Sequence, residues 1–159
     1  MDIRQVAFDH PDAVKLNDRV QAEYAERYGD GGDVTHLEPS MFKPPRGLYL
    51  IAYDASDAPV ATGGWRAMDA NGEGYLDGDA EIKRMYVVPE ARGLGLARRV
   101  LALLEEDARA AGRLRMALET GTKQPEAIGL YTSSGYEPCA MFGHYRDEPL
   151  SRCYAKPLR

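Results

Sequence analysis

The chain has 159 residues, 44% of them hydrophobic and 28% charged, with a formal net charge of −5. That length suits a single domain over residues 1–159 with one sizeable core, and the acidic balance, with a pI near 5.2, excludes a nucleic-acid backbone binder, which needs a basic patch. No apolar run reaches the roughly 18 residues that span a membrane, and the opening Met-Asp-Ile-Arg-Gln has no apolar signal core, so a cytoplasmic protein is expected.

Ile3 to Phe8 reads as a first strand. Pro11 suits the first position of a helix, with Asp9 or His10 as its cap. Ala13, Leu16, Val20 and Tyr24 then recur at helical spacing up to Tyr28, and Gly29 ends the run. Asp30 to Gly47 is irregular, with Gly31-Gly32 and Pro39, Pro44 and Pro45 around Met41 and Phe42. A long loop with large apolar residues either does functional work or is pinned to the core by them. Leu48 to Tyr53 and Val60 to Arg66 form an antiparallel hairpin across the turn Asp54 to Pro59. Gly63-Gly64 inside its second strand marks a bulge or a close backbone approach. Asp69 to Asp79 is a polar loop.

Ile82 to Val88 is the next strand, stopped by Pro89, which cannot donate to a ladder. Ala97, Val100, Leu101, Leu104, Ala108 and Ala111 form the apolar stripe of a second helix, and Gly112 closes it. Leu114, Met116 and Leu118 alternate as a strand. Pro125 opens a short third helix that Gly135 ends. Tyr136 to Tyr145 and Leu150 to Leu158 read as two last strands. The sum is a mixed α/β domain of about seven strands and three helices. The two cysteines, Cys139 and Cys153, have no Cys-x-x-Cys or zinc spacing and read as reduced, buried thiols. His10, His36 and His144 share no ligand spacing, so no metal is expected.

Between the central strand and the second helix lies Arg92-Gly93-Leu94-Gly95-Leu96-Ala97-Arg98. Strand, glycine loop and helix N-terminus in that order make an anion cradle. Glycines admit close approach, and first-turn N–H groups lack intrahelical partners. A Walker loop is absent. A dinucleotide fingerprint, Gly-x-Gly-x-x-Gly, fits at Gly93 and Gly95 but meets Arg98 where its third glycine belongs. The pattern Arg/Gln-x-x-Gly-x-Gly/Ala fits at Arg92, Gly95 and Ala97. With Met85-Tyr86-Val87 before the loop and Gln124-Pro125-Glu126-Ala127-Ile128-Gly129-Leu130-Tyr131-Thr132-Ser133-Ser134-Gly135-Tyr136 after it, the chain resembles the GNAT superfamily of acyl-CoA-dependent N-acetyltransferases. The resemblance is strong from about Val60 to Tyr136. Gln124 stands where the family usually has Asn.

The resemblance implies a GNAT fold: a central, mostly antiparallel sheet whose fourth and fifth strands splay apart around acetyl-CoA. It implies that Arg92, Gly93, Leu94, Gly95, Leu96, Ala97 and Arg98 line the pyrophosphate, and that the backbone of Met85, Tyr86 and Val87 bonds the pantetheine arm and supplies the oxyanion donor. Gln124 is a further cofactor-side residue. Glu81 falls where several members carry a general base, and Tyr131 where the family has a tyrosine near the CoA sulfur, a candidate general acid. Trp65, Arg66, Tyr86, Tyr145, Tyr24, Arg27 and Tyr28 are candidates for the acceptor side. The expected reaction is direct acetyl transfer, in a ternary complex, to a primary amine of a small molecule. A protein lysine or N-terminal amine, or a non-catalytic CoA-binding regulatory module, is the alternative. A homodimer is left open.

Overall fold

The computed structural model describes residues 1–29 and 32–158; Asp30 and Gly31, at the start of the expected irregular loop, lie outside the described residues. The elements run β1 Asp2–Gln5, α1 Pro11–Tyr28, β2 Gly47–Tyr53, β3 Pro59–Met68, β4 Asp79–Val87, α2 Leu96–Ala110, β5 Arg115–Gly121, α3 Pro125–Ser133, β6 Glu137–Pro138 and β7 Ser151–Pro157. The seven strands form one sheet in the order β1-β2-β3-β4-β5-β7-β6. Every neighbouring pair is antiparallel except β4 and β5, which α2 joins as a crossover.

Local chemistry explains the boundaries. His10 caps α1 through its ring Nδ1, which accepts the Asp12 N–H at 3.0 Å, and Gly29 ends it in the left-handed conformation at φ 72°. Gly112, at φ 82°, follows the last turn of α2, where the Arg113 N–H returns to the Ala108 carbonyl. Val100, Leu101, Leu104 and Ala108 of α2 and Tyr131 of α3 pack on one face of the sheet, against Leu50, Trp65, Ile82, Met116 and Leu118. Ala13, Leu16 and Val20 of α1 cover the other face, against Tyr49, Ile51, Val60 and Tyr86. Burying both faces turns the central strands into continuous apolar runs.

The predicted strand from Tyr136 to Tyr145 shrinks to the two residues of β6. Beyond Cys139 the chain folds away from β7, because Phe142 leaves the sheet plane to fill the space beneath Tyr75, ring centroids 5.0 Å apart. Phe42 pins the long second loop, with its ring stacked 4.5 Å from that of Phe8. Cys153 is buried, but Cys139 is only half-buried.

Candidate active site

The parallel ladder between β4 and β5 is short. Asp79 pairs with Arg115, Ala80 with Met116 and Glu81 with Ala117, and there it stops. Past that rung β5 continues against β7 alone, Glu119 opposite Cys153 and Gly121 opposite Ser151. Ile82 to Met85 and Leu118 to Gly121 therefore face each other across a cleft of about 310 Å³. Tyr24 and Tyr28 from α1, Gln124, Ala127 and Tyr131 around α3, and Tyr145 and Ser151 near the C-terminus complete its wall.

A bulge in β4 turns this strand from its partner. The β3–β4 register slips between Thr62 and Gly64, and Arg84 takes φ 61°, a region L-residues seldom occupy. Ile82 and Met85, three residues apart, consequently face the same core cluster, which a regular strand forbids. Opposite the bulge, a Cβ on Gly63 would meet the Met85 sulfur, so a larger residue there would have to displace the Met85 side chain. On β5 a Cβ at Gly121 would overlap the Tyr28 hydroxyl, so this glycine lets Tyr28 cross the strand end.

The cleft holds unusual charge. Burial raises the Glu119 carboxyl above the usual carboxylate range, with Asp33 and Glu81 adding to the rise and Lys83 opposing it. The Ser151 hydroxyl lies nearby but makes no hydrogen bond of acceptable geometry. Asp33 behaves oppositely. Burial works against its charge, but Lys83 at 3.2 Å, the Thr35 N–H at 2.9 Å and Arg84 outweigh it and hold the group at about 2. Tyr145 donates to Asp33 at 3.1 Å, and burial moves its phenol up to about 12. Burial also raises the Tyr131 phenol, which stays protonated through the neutral range.

Tyr131, Gln124 and Met85 line the cleft, as do Tyr24, Tyr28 and Tyr145 among the acceptor-side candidates. Other predicted residues lie elsewhere. Glu81 does not line it. One carboxylate oxygen takes Nε and Nη2 of Arg66, both at 2.8 Å, and the other takes the Tyr75 hydroxyl at 2.9 Å. Glu81, expected as a general base at the start of this strand, is bound on both oxygens in the last paired rung. Arg66 is bound in the same contact, and Trp65 is core, donating to Asp107 at 2.8 Å. The Tyr86 side chain packs into the α1-side core. Arg27 pairs with Glu126 at 2.6 Å and Glu23 at 3.2 Å.

In the glycine loop, Gly93 and Gly95 take φ 83° and 76°, the freedom the cradle requires. Arg92 is tied by Nε to the Val87 carbonyl at 3.0 Å and by Nη2 to Glu23 at 3.3 Å, and Arg98 reaches Ser133 at 2.6 Å. Leu96 packs in the core, so only its main chain can meet a ligand; Leu94 is exposed. Glu119, Lys83, Arg84 and Asp33 were missed as site residues. The signals were a Lys-Arg doublet inside an apolar strand, and a glutamate between core residues Leu118 and Thr120.

The model of the acetyltransferase (GNAT) family matches residues 13–136. A stretch of 92 residues is 45% identical to an IAA acetyltransferase of Azospirillum brasilense, covering 58% of this chain and 57% of that one, a little over half the relative's length. The N-acetyltransferase YjgM of Escherichia coli K12, itself uncharacterized, is 30% identical over 81% of this chain and 77% of its own. A crystal structure from Klebsiella pneumoniae, assigned to the acyl-CoA N-acyltransferases, superposes with a TM-score of 0.80 at 29% identity over 99% of this chain and 97% of that one. An aminoglycoside 6'-N-acetyltransferase complexed with coenzyme A shares the fold, with a TM-score of 0.71 at 16% identity over 100% and 98% of the two chains.

The chain belongs to the GNAT acetyltransferase family, a family of acyltransferases that use acetyl-CoA or CoA. Family membership replaces the non-catalytic module as a reading.

Proposed function

We propose that the protein transfers an acetyl group from acetyl-CoA to a primary amine of a small molecule, directly and in a ternary complex. The observation that carries this reading is that Glu119 and Tyr131 line one cavity, opened where β4 and β5 part. One is a carboxyl with a raised proton affinity; the other is a phenol that keeps its proton. Different environments that suit one group to accept and another to give a proton are the pattern of acid–base catalysis.

Glu119, in place of Glu81, takes the proton from the acceptor ammonium, directly or through a water. The freed lone pair forms the new C–N bond as the thioester C–S bond breaks, Tyr131 gives its proton to the departing sulfur, and the second proton that the acylated nitrogen must lose returns to the Tyr131 oxygen, directly or through a water. Main-chain N–H groups beside the bulge at Met85 to Val87 are the donors for the thioester oxygen. The glycines of residues 92–98 and the α2 N-terminus suit the pyrophosphate, with Arg92 and Arg98 supplying charge. Gln124, which donates to the Tyr28 hydroxyl at 3.3 Å, sits on the cofactor side. No metal-holding group of His, Cys, Asp or Glu occurs among the described residues, and none of these steps uses one.

A small acceptor suits a cleft walled by tyrosines from α1 and the C-terminal loop. A relative in fold acts, by its name, on an aminoglycoside, a small amine. The test is calorimetric titration with acetyl-CoA, followed by thiol release with a panel of amines. Wild-type protein binds acetyl-CoA and releases thiol with an amine present. Tyr131→Phe keeps the binding and slows the release about tenfold or more. Unchanged release in this variant removes Tyr131 from the chemistry, and absence of acetyl-CoA binding by folded protein defeats the whole reading.

A further inference from the structure

Arg84 is about nine-tenths buried and is held in a left-handed backbone conformation, a strained state that persists only where the surroundings impose it. Its guanidinium is poorly matched. Nη1 lies 3.4 Å from the Asn17 side-chain oxygen and Nη2 lies 3.7 Å from an Asp33 oxygen, against about 2.7–2.9 Å for a good charge-assisted bond. Its Nε has no hydrogen-bond partner. Among the described residues only one other buried side-chain polar atom shares that condition, Ser151 Oγ, and Ser151 lines the same cleft as Arg84.

The nearest carboxylate does not remove the deficit. Asp33 gives one oxygen to Tyr145 and the Thr35 N–H. The other oxygen lies closer to Lys83, at 3.2 Å, than to Arg84. Two cations thus share one carboxylate. Glu119 and Glu148 also line the cleft, but neither forms an ion pair with Arg84 among the described residues. Arg84 lines both this cleft and a second hollow that it shares with Asn17 and Asp33; a buried guanidinium left in this state is costly, and an anion reaching it from the cleft would settle it.

We propose that the acceptor is an amino-acid-type molecule whose carboxylate is bound by Arg84 while its amine is presented to Glu119. This rests on the acetyltransferase reading above and narrows its substrate class. The chemistry is specific. Arg presents a planar fork that matches a carboxylate and cannot lose its charge, and an acceptor lacking the anion leaves that fork buried and unpaired. Discrimination by an unpaired buried polar group exceeds that by missing apolar contact.

The experiment compares matched acceptors: free L-amino acids, their carboxamides and the corresponding decarboxylated amines. Each is assayed for thiol release from acetyl-CoA. In parallel, N-acetyl amino acids and their amides are titrated calorimetrically into the protein saturated with coenzyme A. The free acid of at least one side-chain class turns over with a kcat/KM on the order of 10- to 100-fold above its amide, the worth of one charged hydrogen bond. Arg84→Met keeps the aliphatic stem; it raises KM for that acid by a similar factor, leaves kcat within a few-fold and leaves acetyl-CoA affinity unchanged. Binding of the N-acetyl acid over its amide, lost in Arg84→Met, supports the carboxylate site even if no amine is acetylated, in which case the catalytic reading alone fails. Amides and decarboxylated amines used as well as the acids, with no preference in the titrations, overturn the proposal. The wild-type comparisons stand without the variant should Arg84→Met fail to fold.

Discussion

Two glutamates, Glu81 buried and Glu119 partly buried, flank the point where β4 and β5 separate, and they have opposite fates. Glu81 sits at the last paired rung, opposite Ala117, with Arg66 and Tyr75 on its two oxygens. Glu119 lies two residues beyond that rung on β5, with no arginine beside it, and its proton affinity is raised by burial. Where the ladder continues, neighbouring strands deliver partners and a carboxylate becomes structure. Where it stops, the same group keeps its lone pairs for a ligand. The difference arises from sheet geometry, since both residues are glutamates on central strands and only the ladder around them differs.

The comparison breaks most sharply with conservative amides at the two positions. Glu119→Gln removes the base and lowers kcat by about 10²- to 10⁴-fold. In the wild type, kcat/KM rises with pH as Glu119 loses its proton, at a pH above the ordinary carboxylate range because its affinity is raised; steady-state rates across pH check both. A next effect, on stability rather than rate, is expected for Glu81→Gln. It leaves Arg66 buried without its countercharge, which costs about 3–5 kcal/mol, readable in denaturant melts, while turnover of the folded fraction stays within a few-fold. If Glu81→Gln instead abolishes turnover with stability unchanged, the roles are reversed.

The smallest effect concerns stability at Glu119. Its folded proton affinity exceeds that of the unfolded chain, so between those two values the folded state holds more protons and stability falls as pH rises. Glu119→Gln removes that loss. The variant melts above wild type at pH 8, and the gain disappears below about pH 4, where the carboxyl is protonated in both states. A variant less stable than wild type at pH 8 would mean that the charged carboxylate is well solvated or paired.

Much of the site was legible because it rests on local chemistry. The glycine loop needs positive φ at Gly93 and Gly95, and only glycine supplies this cheaply, so the loop announces itself in the string. Tyr131 was named from the family resemblance of its segment, and it lines the cleft. The string does not tell what Glu81 does, because its place in the chain, at the start of a central strand, is the same whether its oxygens face a cleft or Arg66. Glu119, Lys83 and Arg84 went unnoticed because each looks like an interruption in an apolar run, and a run carries no mark of where its partner strand ends. The strand expected over residues 136–145 failed for a related reason: Phe142 is equally apolar in a sheet or under Tyr75.

The sequence by itself determined the order and kind of the elements, the anion cradle and the family. These follow from periodicity, from glycine and proline stereochemistry, and from two motifs in fixed order. Only the tertiary structure decided which buried charges are satisfied and which are available. That depends on a one-residue bulge at Arg84 and on a ladder that ends at Glu81 and Ala117, contacts between segments that lie far apart in the chain.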